Sequence, residues 1–278
     1  MKLISFNINS IRARLHQLSE LIISHLPDII GLQETKVTDD EFPVDAVREL
    51  GYESCFYGQK GHYGVAVLYR TDRLDLLSEQ RGFPSVVCTE TGEEQRRLLI
   101  CSFKTTSNQT LNVCNGYFPQ GESRDHPVKF PNKAAFYRKT HDFITKSYST
   151  TDKVVVMGDM NIAPQDVDIG IGEDNRKRWL RSGKCCFLPE ERQWFNAILN
   201  LGYTDTFRYL NQDISDCFSW FDYRSKGFER EPKRGLRIDH ILVSNNILEH
   251  CLAAGIDYGI RAMAKPSDHC PVWLELNL

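Results

Sequence analysis

The chain has 278 residues, 41% of them hydrophobic and 26% charged, with a net charge of −3 and a pI near 6.3. That balance belongs to a soluble globular protein long enough for one large core or two small ones, and it argues against a uniformly basic nucleic-acid binder, so any basic surface must be local. Nine cysteines without a CxxC pair, several of them in apolar runs (Cys101, Cys114, Cys251), fit a reduced cytosolic protein better than a disulfide framework or a zinc site, and no apolar run approaches a membrane span.

Residues Leu3 to Asn9 alternate, with Ile4, Phe6 and Ile8 on one strand face and Ser5, Asn7 and Asn9 on the other. A helix is predicted over Ile11 to His25, with Leu15, Leu18 and Ile22 on one stripe, and Pro27-Asp28 breaks it. Strands follow at Asp28 to Glu34, Gly64 to Tyr69, Arg97 to Phe103 and Thr110 to Phe118, then a helix at Lys133 to Tyr148 and a buried strand at Lys153 to Met157. Pro189 to Leu201 is a helix with proline at its start and Gly202 just past its end. Arg237 to Val243 and Val272 to Leu278 are the last strands. Residues 119 to 133 and 222 to 236, rich in Gly, Pro and charge, read as exposed loops. Strands and helices mix throughout and no low-complexity linker separates halves, so the expectation is one α/β domain, 1–278, whose mainly antiparallel sheet core is covered by helices.

Polar clusters stand where these apolar runs stop or start: Asn7/Asn9, Gln33-Glu34-Thr35, Gly158-Asp159-Met160-Asn161, and Asp239 with Ser267-Asp268-His269. The first three lie at strand ends, whereas Asp239 and Asp268 lie near strand starts. In antiparallel packing, one strand's end and its neighbour's start share an edge, so all can converge. Carboxylates, carboxamides and one imidazole on one edge suit metal-assisted phosphate hydrolysis. Magnesium takes hard oxygen ligands and often only one or two carboxylates; Glu34 suits that task, with Asn9 or Asp268 lending an oxygen or holding a bound water. Asp159 would orient or deprotonate the attacking water, and Asn161, two residues on, would donate to the phosphate or hold Asp159; the alternative is an Asx turn ending the strand. Asp239 would fix His269 as an imidazolium that donates to a phosphate oxygen. Pro266 and Pro271 imply a bent loop that turns Asp268 and His269 inward together, whereas His240 points away from the site. Tyr117 either donates to phosphate or packs at the sheet edge.

Basic residues gather in Arg176-Lys177-Arg178-Trp179-Leu180-Arg181 with Lys184, and again at Lys226, Arg230, Lys233, Arg234 and Arg237 beside Trp220, Phe221, Tyr223 and Phe228. Positive charge with interleaved aromatics suits a phosphate backbone plus an unstacked sugar or base; the alternative is a solvated charged face. No GxSxG elbow, P-loop or dinucleotide fingerprint is present.

Taken together, Phe6-Asn7-Ile8-Asn9, Gly31 to Lys36, Gly58 to Gly64, Asn115 to Pro127, Gly158 to Asn161, Arg176 to Lys184, Phe218 to Gly227, Gly235 to Asp239 and Lys265 to His269 resemble, in order, the endonuclease/exonuclease/phosphatase superfamily and its exonuclease III branch. The resemblance implies a four-layered α/β-sandwich, two facing, mainly antiparallel sheets with helices outside. It implies hydrolysis 5′ to abasic sites in duplex DNA, with 3′→5′ exonuclease and 3′-phosphatase activity, by a monomer that uses magnesium, manganese being a substitute. By position, Glu34 would hold the metal and Asp159 handle the water. Asn7, Asn161 and Tyr117 would support the phosphate, and Asp239 would pair with His269. Gln120 and Arg124 would fall in a DNA-facing loop, and Trp220, Phe221 and Leu236 would line the pocket for a flipped abasic sugar. Lys129 and Lys184 would contact backbone phosphate. Three positions depart from the family pattern: Ser10 stands where glycine is usual and would tighten the first helix start. His240 replaces an apolar or aromatic residue, and Asn9 replaces the aspartate of some relatives.

Overall fold

A computed structural model describes residues 1–84 and 95–278. Among them, twelve strands form two six-stranded sheets. The first sheet holds β1 (Lys2–Asn7), β2 (Ile29–Gln33), β3 (Glu53–Tyr57), β4 (Val65–Tyr69), β11 (Cys251–Ile256) and β12 (Val272–Leu276), in the order β11-β12-β1-β2-β4-β3. The second holds β5 (Leu74–Arg81), β6 (Leu98–Thr105), β7 (Thr110–Tyr117), β8 (Lys153–Asp159), β9 (Tyr203–Asp205) and β10 (Asp239–Ser244), in the order β5-β6-β7-β8-β10-β9. Only the β1–β2 and β7–β8 pairs are parallel.

Alternation along each strand builds the layers. Leu3, Ile29, Val67, Val113 and Val155 meet in a core between the sheets. Their neighbours face outward: Ile4, Phe6 and Ile8 pack under α1 (Leu15–His25), α2 (Val44–Glu49) and α7 (Tyr258–Arg261). Val154, Val156 and Leu242 pack under α3 (Lys129–Ser147) and α5 (Pro189–Leu199). Helices, sheet, sheet and helices form four layers, as expected. The sheets approach closely at Gly31, where a Cβ would lie 2.6 Å from the Met157 methyl group.

The first helix departs from expectation. It starts at Leu15, not Ile11: the amides of Ser10 and Ile11 donate to the carbonyls of Glu34 (2.7 Å) and Thr35 (3.1 Å), and a separate turn closed by the Arg14 amide on the Ile11 carbonyl (3.1 Å) precedes the helix. Ser10 adopts φ +89°, the conformation glycine takes most readily. Helix α3 begins at Lys129, so the loop expected to reach residue 133 ends earlier. The helix α4 (Glu173–Arg181) and the strands β3, β5, β9 and β11 were not anticipated.

Behind the second sheet, the fully buried Arg237 holds three segments together. Its guanidinium donates to Asp168 (2.7 and 3.2 Å), to Asp205 (2.7 and 3.2 Å) and toward His240 Nδ1 (3.0 Å). Burial alone would raise the Asp205 carboxyl, but the Arg237 charge and the His240 bond hold it far below the usual range. Its contribution to stability is therefore present above pH ~4 and is lost as pH falls below that. Arg237→Met should cost about 3–5 kcal/mol in equilibrium urea unfolding at pH 7, because it takes the guanidinium from buried Asp205 and leaves buried Asp168 with Arg208 alone as its cation (2.6 Å). A loss under about 1 kcal/mol would show that the network is replaceable by packing.

Candidate active site

The register lines up the chemistry. Across β7, β8 and β10, Tyr117 stands beside Asp159 and Asp159 beside Asp239. In the facing sheet, Asn7 stands beside Gln33, one residue before Glu34. All lie at one end of the two sheets, so distant clusters share an edge.

Asn7 joins the sheets. Its fully buried amide donates to Glu34 Oε1 (3.0 Å) and to Asp159 Oδ2 (2.9 Å), while its oxygen accepts from the Asn9 amide (3.1 Å). The other Asp159 oxygen accepts from the Asn161 backbone (3.1 Å), and the Asn161 side chain donates to the Phe118 carbonyl (3.0 Å). Asn9, Glu34 and Asn161 all sit at φ near +50°, uncommon for residues with a Cβ, which fits positions held for function. Gly158, at φ +147°, permits the close β7–β8 approach, since a Cβ there would lie 1.9 Å from the Gly116 carbonyl oxygen.

Asp239 grips His269, with Nδ1 lying 2.9 and 3.0 Å from its two carboxylate oxygens. The Ser219 hydroxyl donates to Asp239 (2.6 Å), and the Ser267 hydroxyl ties the His269 turn to the Asn7 carbonyl (2.7 Å). His269 Nε2 lies 3.7 Å from Asp159 Oδ2. Burial opposes charge on the ring, but the Asp239 and Asp159 carboxylates outweigh it and push the imidazole up to about 10, so His269 is a cation at neutral pH. Burial pushes Asp159 up to about 7, against the pull of His269 and with the push of Asp239. Glu34 ends below the ordinary range, because the charge and bond of Lys36 (2.7 Å) overcome its burial. Burial and the Glu34 charge raise Tyr117 well above the usual phenol, so its hydroxyl stays a donor.

Ligand atoms of Glu34, Asp159 and His269 lie within 4.8 Å of one another. His269 is committed at Nδ1 to both Asp239 oxygens, and the two carboxylates of the set are Glu34 and Asp159. Asn9 and Asp268 are bonded to each other (2.9 Å), with Lys36 on the Asn9 oxygen (2.6 Å) and the Trp220 indole on Asp268 (3.0 Å). Four carboxylates (Glu34, Asp159, Asp239, Asp268) cluster here with Lys36 and His269, while Lys184 and Arg224 stand in the surrounding lining. The clustered carboxylates and the Asn9 carboxamide offer hard oxygens, the donor type a divalent ion such as magnesium takes.

A cavity of about 370 Å³ opens over this group, with Trp179, Lys184, Trp220 and Leu236 in its walls beside Glu34, Tyr117, Gln120, Asp159, Asn161, Asp268 and His269. Arg178 lines a neighbouring cavity of about 120 Å³ with Arg230 and Arg234. Other expected residues lie off the cavity. Phe221 is fully buried among Phe218, Phe228 and Tyr258, behind the wall. Arg124 and Lys129 are exposed and paired with Glu190 (2.5 Å) and Glu122 (2.5 Å). His240 faces away, toward the Ile162 carbonyl (2.8 Å). Sequence reasoning assigned no role to Ser219, Trp179, Cys186 and Arg224; Trp179 lay inside the basic run and Ser219 and Arg224 inside the matching segment 218–227, whereas nothing in the sequence marked Cys186.

Residues 4–269 match the Endonuclease/Exonuclease/phosphatase family. The chain is 52% identical to the exodeoxyribonuclease III of Haemophilus influenzae, over 100% of both chains. An AP endonuclease from Archaeoglobus fulgidus has a similar structure (TM-score 0.87, 30% identity, 100% of both chains). So does a Neisseria 3′ phosphatase bound to a product DNA hairpin (TM-score 0.86, 33% identity, 100% of both chains).

Proposed function

The chain belongs to the endonuclease/exonuclease/phosphatase family, and from that premise we propose that it is a divalent-metal-dependent DNA repair nuclease that hydrolyses the phosphodiester 5′ to abasic sites. The same site would serve 3′→5′ exonuclease and 3′-phosphatase work on double-stranded DNA with blocked 3′ ends. Residues 1–278 act as one catalytic domain and as a monomer in the cytosol; no helix among the described residues is long and apolar enough to cross a membrane. The observation that carries this reading is the joining of Asp159, through Asn7, to Glu34, with the Asp239–His269 pair 3.7 Å away, all under one cavity walled by tryptophans and a lysine.

Magnesium on Glu34, with Asn9 and Asp268 in support and manganese as a substitute, would supply charge neutralisation at the scissile phosphate. The residues do the rest. Asp159, held by Asn7 and the Asn161 amide, orients water and accepts its proton; a carboxyl raised to about 7 is basic enough for that at neutral pH. His269 and Tyr117 donate to the non-bridging oxygens, where charge grows as water adds. The bond from phosphorus to the 3′ oxygen breaks, and the departing 3′ oxygen takes a proton from solvent, leaving a 3′-hydroxyl and a 5′-phosphorylated abasic residue. Trp220 and Leu236 wall the space for the extruded sugar, whose missing base lowers the cost of flipping. Gln120, Arg124, Lys129, Arg178 and Lys184 follow the strands around it. Phe221 supports that wall from behind.

The test is incubation with an abasic duplex, with magnesium and with chelator. Incision should require the metal, by at least about 10³-fold if the ion supplies several kcal/mol, and should leave a 3′ end that a polymerase extends. No incision in either condition rejects the reading. Faster turnover of a phosphoinositide than of DNA would favour a lipid phosphatase instead.

A further inference from the structure

The chemistry above makes no use of Lys133, although this lysine of α3 is fully buried and bonded to two residues that line the cavity. An ammonium has three protons to donate, and Lys133 places all of them. They go to the backbone carbonyl of Gln120 (3.1 Å), the backbone carbonyl of Asn161 (2.8 Å) and Glu191 Oε1 (2.5 Å). Glu191, also fully buried, accepts with its other oxygen from the Leu188 amide (2.8 Å) at the start of α5. Two of the three acceptors thus belong to residues that line the cavity.

The surroundings are fitted to this lysine. Gly121, at φ +89°, lets the loop rest on its stem; a Cβ there would lie 2.9 Å from Lys133 Cδ and 3.0 Å from Cys185 Sγ. Above it, the Cys186 thiol bridges the same two residues, 3.8 Å from Gln120 Nε2 and 3.8 Å from Asn161 Oδ1. Buried ion pairs are often replaceable by apolar side chains without loss of stability, so fold stability alone gives weak reason for a charge here. A single ammonium reaching two carbonyls, however, sets a distance that no apolar side chain can set.

We propose that Lys133, with Glu191 as its counter-ion, is a positioning residue of the nuclease, holding the loop that carries Gln120 and the turn that carries Asn161 in one register. Through the Asn161 backbone amide, that register reaches Asp159. The inference rests on the nuclease reading.

The experiment compares thermal midpoint, kcat and KM on an abasic duplex for Lys133→Met, for Lys133→Met with Glu191→Leu, and for Glu191→Gln. Lys133→Met alone strands a buried carboxylate and should melt early. The double variant removes both charges and should regain part of the lost midpoint, the Gln120 and Asn161 carbonyls and the Leu188 amide staying unpaired, yet keep kcat between about 10-fold and 10²-fold below wild type with KM little changed, the size of a small misplacement. Glu191→Gln keeps an oxygen toward Lys133 and both carbonyl contacts; it should melt earlier but retain kcat within about threefold. A folded double variant with wild-type kcat overturns the proposal. Should that variant fail to fold, a folded Glu191→Gln with a tenfold lower kcat overturns it equally. A wild type without incision would sink the nuclease reading itself, an outcome distinct from either.

Discussion

Replacing Asp159 with asparagine should lower kcat on an abasic duplex by about 10⁴-fold, the upper end for one acid–base group, while DNA affinity stays within about threefold. Two donors converge on this carboxylate, Asn7 Nδ2 on one oxygen and the Asn161 amide on the other. An amide has only one acceptor for these two donors and no basic site for the proton of water. Size and burial are preserved, and nothing on the DNA-facing wall changes, so the loss should fall on turnover and not on binding. In free-energy terms it is about 5 kcal/mol in the transition state. A catalytically silent DNA-binding protein would show no such split. The measurement is single-turnover incision beside a DNA titration; unchanged turnover would remove Asp159 from the reaction.

Asp239→Asn should cost between about 10² and 10⁴ in kcat, through His269. The carboxylate contacts His269 Nδ1 with both oxygens, and Ser219 anchors it from the other side (2.6 Å). It is also the largest influence favouring the ring's positive charge against burial. An amide removes that charge and can turn its NH₂ toward the ring, so Nε2 loses strength as a donor to the phosphate. His269→Ala should give a similar loss, and the two together little more than either alone, since both act through one contact. Near-wild-type turnover of Asp239→Asn would break the pairing; additive losses would mean that Asp239 acts independently.

Much of this was legible in the chain because strand periodicity and polar residues conflict at few places. Asn7, Glu34, Asp159 and Asp239 each interrupt or open an apolar run, and the neighbouring register of Asp159 and Asp239 follows from antiparallel pairing. The two prolines near His269 correctly suggested a turn that faces both Asp268 and His269 into the cavity. What escaped notice lacked a periodic signal. Helix α4 fully buries no residue, and only Trp179 and Leu180 of its charged sequence pack inward, too few for a periodic stripe. Strand β5 is an edge strand, exposed along most of its length. Lys133 stood at the end of a stretch read as an exposed loop, and nothing in its neighbours announces that two carbonyls and Glu191 will enclose it. Phe221 and Trp220 are adjacent and equally aromatic, yet only Trp220 reaches the cavity; which one turns inward is decided by Trp220 pairing with Leu236 and His269.

The central claim is that one scissile phosphate meets Glu34, Asp159 and His269 at once. A crystal structure with an abasic duplex and calcium in place of magnesium tests it directly. The account predicts a non-bridging oxygen of the phosphate 5′ to the abasic sugar within about 3 Å of His269 Nε2, with Asp159 in hydrogen-bond reach of a water in line with the 3′ oxygen. A scissile phosphate seated elsewhere on the surface, with those three side chains facing empty solvent, would contradict it.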